Sequence, residues 1–116
     1  MKIKRIEHVG VVVKDTDASR KLWEDCFGIP LGGVEENAQR RLALYPIGDS
    51  MIELLAGTTP DSKHARMVAA GKGGLNHICF EVENIDEALA VVHDGFVEAG
   101  YLRAQASGRR MHVSYL

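Results

Sequence analysis

His8 and His77 each stand near the middle of an apolar, largely β-branched run, and Glu53 interrupts a third such run. Two imidazoles and a carboxylate are donors that divalent transition ions accept, and strands hold donors of this kind at fixed angles. A single histidine on a strand is more often structural than a ligand. The chain changes those odds by repeating itself. Laying His8 on His77 also lays Ile6 on Leu75, Val9 on Ile78, Val13 on Val82, Asp15 on Asn84 and Asp17 on Asp86, at a single offset of 69 residues. Such a repeat implies two like modules whose strands bring two imidazoles to a shared site. Glu53 fits the same reading, because an acid buried unpaired in an apolar strand costs several kcal/mol and therefore wants a cation, a hydrogen-bond network or water. His64, His93 and His112 have no support from the repeat and read as solvated residues.

The elements that would position these donors follow from pattern. Residues 3–13 alternate, with Val9, Val11 and Val13 on one face and Ile6, His8, Gly10 and Val12 on the other, which predicts a strand. Asp15, Thr16 and Asp17 offer N-cap oxygens and negative charge to a helix in which Ser19, Leu22, Trp23, Cys26 and Phe27 recur at helical spacing, ended by Gly28. Residues 34–37 and 41–46 read as a hairpin. After a Gly48-Asp49-Ser50 turn, residues 51–55 form a strand with Ile52 and Leu54 facing away from Glu53. Residues 58–72 read as a linker with a short helix around 63–70. The second module opens at Gly73, runs its strand through Val82, caps on Asn84 and continues as a helix carrying Ile85, Ala88, Leu89, Val92 and Phe96. A turn at Ser107-Gly108 and a strand over 109–115 follow. The repeat counterpart of Glu53 would fall past Leu116, and no Asp or Glu follows Glu98, so the second module is expected to lack its last strand.

With 116 residues, 46% of them hydrophobic and 26% charged, the chain is expected to form one soluble domain over 1–116, with module one at about 3–57, the linker at about 58–72 and module two at about 73–116. The net charge of −2 leaves no basic stripe for nucleic acid, although Arg103, Arg109 and Arg110 make the last segment locally positive. No apolar run approaches the ~20 residues needed to span a bilayer, so no membrane partner is expected and the cytoplasm is the expected compartment. Cys26 and Cys79 lie in apolar patterns without CxxC spacing and read as small buried hydrophobes.

Several stretches together carry a resemblance: 7–15 around His8, Trp23-Glu24-Asp25 before Phe27-Gly28, 48–55 around Glu53, Pro60-Asp61-Ser62, and 73–82 around His77. Over residues 3 to about 92 the chain resembles the methylmalonyl-CoA epimerases. These belong to the vicinal oxygen chelate superfamily, with glyoxalase I, extradiol dioxygenases and the bleomycin and fosfomycin resistance proteins. The resemblance implies an α+β fold of paired βαβββ modules forming a cupped mixed sheet around a divalent metal ion of the cobalt, manganese, nickel or zinc type. It assigns the ligands to His8, Glu53 and His77, and a further acid, a candidate proton-transfer base, to Glu36 or the residue beside it. Asn76 stands where the family often has a second histidine. The family's C-terminal glutamate ligand has no counterpart, and Gln105 and His112 are the nearest substitutes by chemistry.

The implied activity is epimerisation of methylmalonyl-CoA, an acyl-CoA substrate, through α-proton abstraction and a metal-stabilised enolate. The alternatives are another metal-dependent lyase of the superfamily or a non-enzymatic binding protein of the bleomycin resistance type. A module ending one strand early predicts an open edge at 111–116, and hence a homodimer.

Overall fold

The computed structural model describes residues 2–88, 90, 101–107 and 110–115. In chain order the elements are β1 (Ile3–Val12), α1 (Thr16–Arg20) running on into a π-helical segment (Lys21–Cys26), β2 (Gly33–Glu36), β3 (Arg40–Ile47), β4 (Ser50–Gly57), α2 (Lys63–Ala69), β5 (Gly74–Val82), β6 (Tyr101–Ser107) and β7 (Arg110–Tyr115). The strands form one seven-stranded mixed sheet in the order β2-β3-β4-β1-β5-β7-β6. The architecture is α+β, with two βαβββ-like modules joined where β1 and β5 run antiparallel.

Each face of the first module has its own core. On one, Ala43, Tyr45 and Leu54 are buried, with Val11, Val13, Trp23, Ile29, Leu31 and Ile52 packed around them. On the other, Val12, Leu42 and Leu55 are buried beneath Met67 and Val68 of α2. Each fully buried leucine contributes about 1.5–3 kcal/mol relative to leaving it in water. Glu53 lies between Ile52 and Leu54, so strand alternation puts it on the α2 face with Leu55.

The alternation expected for β1 holds for His8, Gly10 and Val12, all buried, but fails at Ile6, which is 41% exposed. The cause is a register shift in the β1–β5 ladder. Ile6 pairs with Phe80 and His8 with Cys79, so one extra residue, Glu7, is accommodated on β1 and Ile6 falls on the opposite face from His8. A second shift lies between Gly10 and Val11, which pair with His77 and Leu75, and there the extra residue is Asn76.

Asp15 caps α1 as expected, its Oδ1 accepting from Asp17 N at 2.9 Å. Beyond Arg20 the helix widens, with Phe27 N donating to Leu22 O five residues back. The wider turn shifts the helical phase, so Leu22, Phe27 and Cys26, expected inside, are exposed. Trp23 instead stacks on Tyr45, with centroids 6.0 Å apart. Glu24 accepts from Arg20 Nε at 2.7 Å and from the Tyr45 hydroxyl at 2.9 Å. The Arg20 hydrogen bond, assisted by that of Tyr45, holds the Glu24 carboxyl below its ordinary value despite the desolvation that opposes it. Burial, reinforced by the bond to Glu24, pushes the Tyr45 phenol up to about 12. A carboxyl depressed in the folded state stabilises above its unfolded pKa and loses that contribution as pH falls through its folded pKa. Glu24→Gln should therefore lower the melting temperature near neutrality, with the deficit shrinking as pH falls below the carboxylate range. Thermal melts of both proteins across that range check it.

In the second module, Asn84 Oδ1 accepts from Glu87 N at 3.0 Å, capping the helical residues 85–88, where Ala88 is fully buried. Leu89, Val92, His93 and Phe96 lie outside the described residues. The expected strand over 109–115 is present as β7, paired with β6, a strand the sequence pattern did not announce, and among the described residues the second module has three strands where the first has four. The expectation that 111–116 forms an open edge is corrected: β7 lies between β5 and β6 and pairs with both. The two modules differ here, since β1 is flanked by β4 in parallel and β5 by β7 antiparallel. Among the described residues, no helix is long and apolar enough to cross a membrane.

Candidate metal centre

The site is built around Gly10. Across the sheet Gly10 faces Glu53 on β4 and His77 on β5, and His8 lies two residues earlier on the same face of β1. A side chain at position 10 would fill this space, because a Cβ built there meets His77 Cε1 at 2.1 Å. Glycine therefore lets the His77 ring lie across β1 toward His8. The two imidazoles meet edge to face, with centroids 5.1 Å apart and planes at 87°. His8 Nε2 is 2.9 Å from His77 Nε2 and 3.3 Å from Glu53 Oε2. One donor atom from each of the three residues lies within 4.8 Å of the others. His8 is 2% exposed and His77 9%.

Proton placement follows from the outer nitrogens. His8 Nδ1 donates to the Glu7 carboxylate, and His77 Nδ1 donates to Asn76 Oδ1 at 2.8 Å. Carboxylate and amide oxygens accept only, so each ring carries its proton on Nδ1 and turns an Nε2 lone pair into the site. The two Nε2 atoms stand at hydrogen-bond distance, 2.9 Å, beside a carboxylate, and with both rings protonated on Nδ1 a cation among them would be shared by all three donors. Glu53 carries the same message. Its carboxyl is pushed up first by burial and further by Glu7 and Glu35, with His8 and Arg40 opposing. This donor set fits a divalent ion, and a two-histidine, one-carboxylate composition suits zinc, cobalt, nickel or manganese.

The structure thus brings His8, Glu53 and His77 together. Glu36 is elsewhere. It pairs with Arg41, and Arg41 with Ala56, three positions from the row that holds Glu53 and Leu44 and so on the opposite face. Arg41 reaches Asp17 of α1 at 3.0 Å, so this row belongs to the α1 face. Glu36 there helps line a cleft of about 370 Å³ with Lys14, Asp15, Thr16 and Arg41. Glu35 pairs with Leu42, and Leu42 with Leu55, which puts it on the face of Glu53. The residues to which the sequence assigns no role are Gly10 and Glu7, and Asn76 is marked only as standing where the family often has a histidine. A signal existed, since Gly10 breaks a β-branched run and Glu7 and Asn76 obey the same repeat offset as the histidines.

Residues 7–113 match the family described as the Glyoxalase/Bleomycin resistance protein/Dioxygenase superfamily. The chain is 30% identical over 88 residues to the mitochondrial methylmalonyl-CoA epimerase of Bos taurus, covering 73% of this chain and 50% of that protein. It is 29% identical over 101 residues to the ethylmalonyl-CoA/methylmalonyl-CoA epimerase of Cereibacter sphaeroides, covering 84% of this chain and 72% of that protein. A solved variant of Streptomyces coelicolor methylmalonyl-CoA epimerase, in complex with 2-nitronate-propionyl-CoA, superposes with a TM-score of 0.72 at 26% identity, over 90% of this chain and 75% of that one. The chain spans about half the length of the mammalian relatives it matches.

Proposed function

The chain belongs to the glyoxalase/bleomycin resistance protein/dioxygenase superfamily, and on that premise we propose that it is a metal-dependent epimerase of methylmalonyl-CoA. The observation that carries the proposal is the convergence of His8 Nε2, His77 Nε2 and Glu53 Oε2, from two buried histidines and a partly buried glutamate. These three residues would hold the ion. When bound, it supplies Lewis acidity, lowering the energy of the negative charge that develops on a substrate oxygen as the α-proton leaves.

The chain's own residues do the rest. Glu7 and Asn76 fix the histidine tautomers. Glu53 offers charge against the reacting centre. Epimerisation removes the proton from one face of the α-carbon and returns a proton to the other from a second acid or from water, and Glu35 takes the removal here because it shares the sheet face of Glu53. Glu36, the first candidate on sequence, serves as the control. Glu35→Gln should slow isomerisation by ~10²–10⁴-fold, the usual worth of a positioned acid or base. Glu36→Gln should leave it near the unsubstituted rate. Stereochemical assay of methylmalonyl-CoA interconversion by both variants decides between them, and the reverse ranking would return the base to Glu36.

A binding protein without chemistry and a lyase acting on a glutathione adduct are the competing readings. The metal-loaded chain should convert one epimer of methylmalonyl-CoA to the other and leave the glutathione hemithioacetal of methylglyoxal untouched. Turnover of the hemithioacetal alone would transfer the site to the lyase class. As to assembly, a cytoplasmic homodimer is proposed on the general preference of soluble proteins for two-fold closure and on the sheet's edges at β2 and β6. Sedimentation equilibrium tests it, and a monomer at tens of micromolar would exclude it.

A further inference from the structure

We infer that Glu7 and Asn76 are a matched pair of positioning residues that aim the two histidines at the ion, and that the charge of Glu7 makes His8 the stronger donor of the two. The inference rests on the metal-dependent reading above and extends it to residues that touch neither ion nor substrate.

Three observations carry it. Each residue immediately precedes its histidine, and the two are related by the same 69-residue offset as His8 and His77. Each is the extra residue at a register shift of the β1–β5 ladder, Glu7 between Ile6 and His8, Asn76 between His77 and Leu75. Each accepts from the Nδ1 of the ring that follows it. Neighbours on a regular strand point to opposite faces, so residue i−1 does not ordinarily reach the ring of residue i. A bulge removes that obstacle by bending the strand and re-aiming a side chain. Of the three register shifts in this ladder, the one between Ile3 and Arg5 lies away from the site, and each of the other two delivers an oxygen to the outer nitrogen of a ligand, one in each module. Packing alone gives no reason for this coincidence.

The two oxygens differ in kind. An imidazole whose Nδ1–H is held by a carboxylate is a more basic ligand than one held by a neutral amide, because the anion stabilises positive charge drawn onto the ring. The module-one histidine is therefore the tighter arm of the site, and the module-two histidine has unused capacity.

Cobalt(II) titration of the purified chain, followed by its visible absorption and by competition with a chelator, tests this. Glu7→Gln keeps an acceptor oxygen and removes the charge; Asn76→Leu removes the acceptor; Asn76→Asp adds the charge that position 76 lacks. Glu7→Gln and Asn76→Leu should each weaken cobalt binding by about 10–100-fold and shift the absorption band, and Glu7→Gln, which keeps its acceptor, should leave the melting temperature of the metal-free protein unmoved. Asn76→Asp should tighten binding. Affinities and spectra indistinguishable from the unsubstituted chain in all three variants would overturn the inference while leaving the metal centre intact. Failure of the unsubstituted chain to take up cobalt would overturn the metal reading itself, and this inference with it.

Discussion

Replacing His8 and His77 together by alanine should abolish binding of a divalent ion, and either single replacement should weaken it by more than the about 10–100-fold that outer-sphere changes cost. The two rings supply both nitrogen donors of the buried set, and Glu53 alone leaves a single carboxylate. Loss of one ring also removes the second nitrogen donor, which stands 2.9 Å from the first. The fold should survive, because the hydrophobic clusters of the first module include neither histidine. Metal content per chain, measured after dialysis against a weak chelator, reports the result. Unchanged stoichiometry in the double variant would remove the basis for the site.

Gly10→Ala is expected to be nearly as damaging, although it removes no donor. Its methyl group would lie 2.1 Å from His77 Cε1, 2.5 Å from Nδ1 and 2.6 Å from Nε2, so the ring must leave its position. That ring is buried and tied to Asn76, which leaves it little room to move without losing its hydrogen bond. Overpacking of this kind costs about 1–3 kcal/mol, against the roughly 0.5–1 kcal/mol that alanine gains over glycine in a strand. Metal affinity should collapse and the melting temperature fall. Gly33→Ala on β2 is the matched control, since a Cβ there meets nothing within 4 Å and should leave both quantities nearly unchanged. Wild-type metal affinity in Gly10→Ala would mean that the ring is not where Gly10 requires it.

Much of this site was legible in the sequence, and for definite reasons. His8 and His77 stood out because the chain repeats the surrounding strand, and Glu53 because it breaks an apolar run whose alternation assigns its face. What stayed hidden depended on single-residue insertions that periodicity does not see. The bulge at Glu7 reverses the face of Ile6, and the π-helical turn after Arg20 turns Cys26 and Phe27 outward. Glu35 and Glu36 could not be separated because their faces depend on hairpin register, which one residue inverts. The order β5-β7-β6 was equally out of reach, since it rests on pairing between distant strands. The repeat, by contrast, spans enough residues to survive these register shifts.

The proposed function is metal-assisted proton abstraction from the α-carbon of an acyl-CoA on this sheet face. Proton NMR of methylmalonyl-CoA in deuterium oxide tests it most directly, with the chain first metal-loaded and then stripped by chelator. The account predicts loss of the α-proton signal together with interconversion of the two epimers, abolished by chelation and restored by added divalent ion. An α-proton that exchanges no faster with the fully metal-loaded chain than with buffer would contradict it.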